Sequence, residues 1–124
     1  DALDGAPGVH SSRYGGEATV YPRKFALIYE ALRATGNPDW SARFVCALAL
    51  ADSDRVRFEA RGTIEGVIAT TPRGEGGFGY DPIFFYPLFG RTLAEAGARK
   101  SEASHRAKAF RELEAYLRQN FGLT

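Results

Sequence analysis

The chain has 124 residues, with 16 Lys and Arg against 15 Asp and Glu, and so a formal net charge of +1. Hydrophobic residues at 44% and charged residues at 25% exclude a disordered tail or a collagen-like repeat, and a chain of this length hides roughly 65–70% of its unfolded surface, enough for one core. The single cysteine, Cys46, excludes a disulfide framework; flanked by apolar residues, it reads as a buried thiol in a reducing compartment, the cytoplasm.

Residues 1 to 22 hold Gly5, Pro7, Gly8, Gly15, Gly16 and Pro22 with few apolar side chains, the composition of an irregular segment. From Arg23 the pattern changes. Phe25, Ile28 and Leu32, with Tyr29 and Ala31, recur at helical spacing, Pro22 suits a helix start, and Gly36-Asn37-Pro38 ends the helix near residue 35. Residues 43 to 50, Arg-Phe-Val-Cys-Ala-Leu-Ala-Leu, are apolar on both alternating faces, which predicts a strand in mid-sheet. Ala51-Asp52-Ser53-Asp54 is turn chemistry. Val56, Phe58 and Ala60 then alternate with Arg57, Glu59 and Arg61, predicting a hairpin partner with one wet face. A third strand is predicted over Thr63 to Ala69, with Gly66 as a bulge or close approach. A glycine-dense loop over residues 71 to 80 leads into Asp81-Pro82-Ile83-Phe84-Phe85-Tyr86. In the last helix Ala103, Ala107, Phe110, Leu113, Leu117 and Phe121 form the apolar stripe.

Two constellations carry chemistry. Gly74, Gly76, Gly77 and Gly79 let backbone approach a ligand, but no Gly-Lys-Ser/Thr closes the run as in a P-loop, and Pro82 with its aromatic followers does not open the helix that a dinucleotide fingerprint needs. Phe78 and Tyr80 sit among these small residues. Either one ring is presented to a flat ligand, where base stacking is worth about 1–3 kcal/mol, or both rings belong to the core. The second constellation is basic: residues 91 to 111 hold six Lys and Arg against two Glu, a local +4. Lys100, Ser104, His105 and Arg106 gather donors where the last helix begins. Arg106 falls beside Ala103, Phe110 and Leu113, so its guanidinium starts from the apolar side and seeks a partner such as Asp81 or a ligand oxygen; a snorkelling Arg is the alternative. A donor-rich site beside an aromatic ring accepts a 6-oxo purine and rejects adenine, whose 6-amino group would leave buried donors unpaired at about 1–3 kcal/mol each.

Other chemistries find little support. His10 and His105 have no Cys or carboxylate at zinc-ligand spacing, Cys46 has no activating base, and Asp1, Asp4 and Asp81 do not form a convincing magnesium set. No stretch has the ~18–20 apolar residues of a membrane span, and the first residues lack the regions of a signal peptide, so a soluble chain without a membrane partner is expected. A net charge of +1, with Asp81 among the aromatics, argues against a single-stranded nucleic-acid binder, which ranks below a non-catalytic nucleotide-binding module as an alternative.

Three motifs in order, residues 3 to 14 (Leu-Asp-Gly-Ala-Pro-Gly-Val-His-Ser-Ser-Arg-Tyr), residues 76 to 84 (Gly-Gly-Phe-Gly-Tyr-Asp-Pro-Ile-Phe), and Lys100 followed by Ser104-His105-Arg106, resemble the inosine/xanthosine triphosphate pyrophosphatases. The resemblance covers essentially the whole chain. It implies an α/β fold, an elongated mixed β-sheet flanked by helices in two lobes with a nucleotide cleft between them, and a homodimer. It implies hydrolysis of deaminated purine nucleoside triphosphates, with Mg²⁺, to the monophosphate and pyrophosphate. Phe78, Gly79, Tyr80 and Asp81 would pack against the purine, with Phe78 stacking, and Lys100, His105 and Arg106, supported by Ser104, would read its oxo groups. The family's phosphate-binding Thr/Ser-x-Asn-x-x-Lys segment, its metal-binding glutamate and its paired aspartates have no counterpart here. The expectation is therefore a single domain over residues 1–124 forming the C-terminal portion of such an enzyme, inactive alone and without metal ligands of its own. Gly97-Ala98-Arg99, where an acidic stretch is usual, and Ala103, where a larger aliphatic is common, are smaller departures.

Overall fold

The computed structural model describes residues 1–16, 18–100 and 104–121. Its elements are a 3₁₀ helix over Gly8–Arg13, α1 (Tyr21–Thr35), β1 (Ser41–Ala51), β2 (Val56–Ile68), β3 (Phe84–Tyr86), β4 (Arg91–Thr92) and α2 (His105–Phe121), with short 3₁₀ turns at Asp81–Ile83, Leu93–Glu95 and Gly97–Arg99. The α/β class is as expected. The four strands form one sheet in the order β1-β2-β3-β4. β2 pairs antiparallel with β3 (Val67 opposite Phe85) and β3 with β4 (Phe85 opposite Thr92). The β1–β2 turn, in which the Asp52 amide donates to the Arg55 carbonyl at 3.1 Å, is too short for anything but an antiparallel hairpin. The parallel component of the mixed sheet implied by the resemblance is not among the described pairings.

Helix α1 begins two residues before the predicted Arg23, with Pro22 in its first turn, and stops at Gly36, whose φ of 68° is the left-handed cap that glycine adopts without strain. The two strands predicted over residues 56–61 and 63–69 are one continuous β2. Its alternation survives both Gly62 and Gly66: the even-numbered positions from Phe58 to Ile68 are buried or half-buried. Among the described residues β1 is not mid-sheet: it lies at one end of the strand order, its odd-numbered residues from Arg43 to Ala51 are exposed, and Cys46 is half-buried. Small apolar residues on two faces signal burial only when something covers both faces, and among the described residues one face of β1 is open.

The residues fall into two compact units: Asp1–Arg43 with Glu65–Gly97, and Phe44–Ile64 with Ala98–Thr124. The core of the first is the α1 face Phe25, Ile28, Tyr29 and Leu32 packed with Ile83, rimmed by Leu3, Tyr14, Trp40 and Tyr80. Tyr29 donates its hydroxyl to the Ala69 carbonyl at 2.6 Å, and burial raises its pKa against the opposing pull of Arg33.

In the second unit α2 lies on Gly62. A Cβ at that position would stand 1.9 Å from the His105 carbonyl oxygen and 2.9 Å from the Ala109 nitrogen. Ala109 is fully buried there, and Phe58 stacks on Tyr116 with centroids 4.4 Å apart. This approach corrects the predicted stripe. Phe110 and Phe121 are exposed, at 55% and 61%, because the backbone-to-backbone seat on Gly62 turns Ala109 inward and Phe110 one helical position away. Ala103 lies outside the described residues. Among the described residues no helix is long and apolar enough to cross a membrane.

Candidate functional site

The glycine loop of the first unit is closed at its stem by backbone pairing: Ala69 N–H donates to the Ile83 carbonyl at 2.8 Å and Arg73 N–H to the Pro82 carbonyl at 2.9 Å. The buried Thr92 hydroxyl donates to the Arg73 carbonyl at 2.8 Å, while Thr92 and Glu95 cap each other's backbone amides. A polar pin thus holds a loop that has little apolar surface of its own.

Inside that stem the Asp81 carboxylate, 4% exposed, accepts a hydrogen bond from the Phe78 amide at 2.9 Å, and the Asp81 amide donates back to the Phe78 carbonyl. Gly77 is required next to it. Its φ is +70°, and a Cβ there would stand 2.2 Å from the Asp81 Oδ2. The two rings divide between the alternatives the sequence left open. Phe78 turns outward, 56% exposed, and Tyr80 turns inward. Tyr80 meets Tyr21 edge-on at 5.3 Å and Phe25 at 6.1 Å, and its hydroxyl donates to the Ser11 carbonyl at 2.5 Å. Burial first, then the neighbouring Tyr21 and Tyr14, push its pKa up to about 12, so the hydroxyl stays a donor at neutral pH. Gly79 is half-buried with φ +62°.

One further anchor is not signalled by the motifs. Lys24, 2% exposed, donates its ammonium to the Ser12 carbonyl and lies over the Tyr21 ring at 4.4 Å. Together Tyr80 and Lys24 grip consecutive carbonyls of the Gly8–Arg13 helix. The available signal was a lysine standing at 24 in the apolar 24, 28, 32 stripe of α1.

In the second unit Ser104 caps α2: its hydroxyl accepts from the Ala107 amide at 3.3 Å, and its carbonyl accepts from the Lys108 amide at 3.0 Å. The Ser104 amide in turn donates to the Lys100 carbonyl at 3.0 Å, linking Lys100 to the cap. The His105 ring stacks on Phe44, 5.1 Å between centroids and 11° between planes, which fixes the imidazole plane. Lys100, Ser104 and His105 are half-buried, and Arg106 is exposed rather than drawn from a buried apolar face. Ser101 and Glu102 lie outside the described residues.

No group of three His, Cys, Asp or Glu side chains that could hold a metal ion occurs among the described residues, and the buried Asp81 carboxylate is taken by the Phe78 amide. His10 Nδ1 accepts from Arg13 at 2.8 Å. Among the described residues the side chains do not make up an Mg²⁺ site.

Similarity to known proteins agrees with the motifs. The chain is 48% identical over 115 residues to a dITP/XTP pyrophosphatase of Geobacillus kaustophilus, covering 92% of this chain and 56% of that protein. It is 50% identical over 117 residues to one of Thermus thermophilus, covering 93% of this chain and 56% of that protein. A HAM1 protein from Coxiella burnetii superposes with a TM-score of 0.90 at 41% identity, over 95% of this chain and 61% of that one. The chain thus spans somewhat over half the length of these relatives. The model of the Ham1 family matches residues 1–116, and with the glycine loop, the buried aspartate and the capped Ser-His-Arg segment in place, the chain belongs to the Ham1 family.

Proposed function

We propose that this chain is the base-recognition portion of an enzyme that hydrolyses deaminated purine nucleoside triphosphates, ITP, dITP and XTP, to the monophosphate and pyrophosphate. The observation that carries the reading is the outward Phe78 ring on a loop locked from beneath by Asp81 and Tyr80. An exposed aromatic is ordinarily a liability. Here the backbone is held by a buried carboxylate so that the ring stays out, which suits stacking on a purine. The names of the relatives support the substrate class.

In this reading Phe78 stacks, Gly79 admits the base edge, and Asp81 and Tyr80 hold the loop. Lys100, His105 and Arg106 donate to the oxo groups, and Ser104 sets the helix start from which His105 and Arg106 project. A 6-oxo group accepts from such donors, whereas the amino group of adenine leaves donors facing donors. The metal and phosphate chemistry falls to the rest of the enzyme.

The test is Mg²⁺-dependent pyrophosphate release from dITP, XTP, dGTP and dATP on a sample whose intact mass is recorded. Turnover of dITP or XTP over dGTP and dATP supports the assignment. Equal turnover of dATP contradicts it. Binding of inosine nucleotides without turnover, at the 13.6 kDa mass of the 124-residue chain, would confine its part to recognition.

A further inference from the structure

The second unit carries a groove of about 660 Å³ walled by Arg61, Gly62 and Thr63 of β2 and by Lys108, Arg111 and Glu112 of α2. Gly62 brings the helix backbone close and leaves no side chain of its own in the groove. The Lys108 ammonium is half-buried and donates to the Thr63 carbonyl at 3.1 Å, which pins it in place and uses one of its three donors. Arg61 and Arg111 are exposed, and neither is held in an ion pair among the described residues. Three cationic residues and one carboxylate thus line the groove.

The helix sets this wall apart from Arg106. At ~100° per residue, Lys108 and Arg111 lie roughly 140–200° round α2 from it, so the groove is on the opposite flank. The basic stretch is also short. Glu59, on the same face of β2 as Arg61, lies beyond the groove on the strand and Glu112 lines it on the helix, so an extended polyanion would meet both carboxylates while a compact one would meet Glu112 alone.

We propose that this groove binds a compact phosphate-rich anion, a di- or triphosphate group, between the Lys108 ammonium and the guanidiniums of Arg61 and Arg111. Guanidinium presents paired donors that match phosphoryl oxygens, and the volume suits a small molecule. Inorganic polyphosphate and the tail of a nucleoside triphosphate share this chemistry.

The experiment titrates inorganic pyrophosphate and tripolyphosphate, without divalent cation, into the ¹⁵N-labelled 124-residue chain at ionic strength held constant with NaCl. Saturable shifts of the Gly62, Thr63, Lys108 and Arg111 amides are expected. Arg61→Gln with Arg111→Gln should weaken binding about tenfold or more, and Glu112→Gln should tighten it about twofold. Both arginines are exposed, so thermal melts of the double variant should match the parent. Equal affinity for tripolyphosphate and ATP assigns the anhydride chain itself as the ligand. Binding of ATP alone, a stronger response to an oligonucleotide, shifts confined to other residues, or unchanged affinity in the double variant would each overturn the proposal.

Discussion

Asp81 holds Phe78 by its backbone: the carboxylate, 4% exposed, accepts from the Phe78 amide at 2.9 Å while the Phe78 ring stands 56% exposed. A buried carboxylate that accepts from a backbone amide three residues away shapes the loop. Its partner ring makes the surface that geometry serves. Phe78→Ala should therefore leave urea stability within about 0.5 kcal/mol yet weaken binding of inosine nucleotides by about 1–3 kcal/mol. A large stability loss would show the ring to be core after all.

Gly77→Ala strikes the same contact from the other side. The added methyl meets the Asp81 Oδ2 at 2.2 Å and a φ of +70° that alanine adopts at a cost. A loss of about 1–3 kcal/mol in chemical denaturation is expected, together with weaker ITP binding. Unchanged values for both would mean that the loop does not depend on this turn.

Tyr80 gives a pH signature. Its pKa is about 12 in the fold against 10.0 for the unperturbed group, so the fold favours the protonated form. This contribution is complete below pH 10 and is lost as pH rises from 10 towards 12. In an alkaline absorbance titration Tyr80 and Tyr29 should ionise above the ordinary tyrosine value, and Tyr80→Phe should remove one late transition. The variant should also fall less steeply in stability over that range. A titration in which Tyr80→Phe removes no late transition would contradict the Ser11 anchor.

Gly62→Ala tests the seat of α2. With a methyl 1.9 Å from the His105 carbonyl, the helix must move, and a loss of more than about 2 kcal/mol is expected. A melting temperature unchanged from the parent would place the helix elsewhere.

Much of this was legible in the sequence. Pro22 and Gly36 bracket α1 because one fixes the first turn and the other supplies the left-handed cap, and the Asp52 turn joins the hairpin by local chemistry. What failed depended on neighbours. The sequence predicts separate strands on either side of Gly62, yet that glycine is where a helix backbone docks, and the docking turns Ala109 rather than Phe110 inward. β3 and β4, three and two residues long, carry no periodicity to detect. In the site, Phe78 and Tyr80 were singled out together, but only the Ser11 carbonyl and the Asp81 carboxylate, distant from or hidden beside them, separate the exposed ring from the anchoring one. Lys24 leaves no local signature because its acceptor is a backbone carbonyl twelve residues away.

The most direct measurement is the affinity of the 124-residue chain for ITP and for ATP, titrated side by side with and without Phe78→Ala. Preference for ITP by about tenfold or more, weakened by the substitution, is the result expected of a chain that reads deaminated purines. Equal affinity for the two nucleotides, or a preference that Phe78→Ala leaves intact, would contradict it.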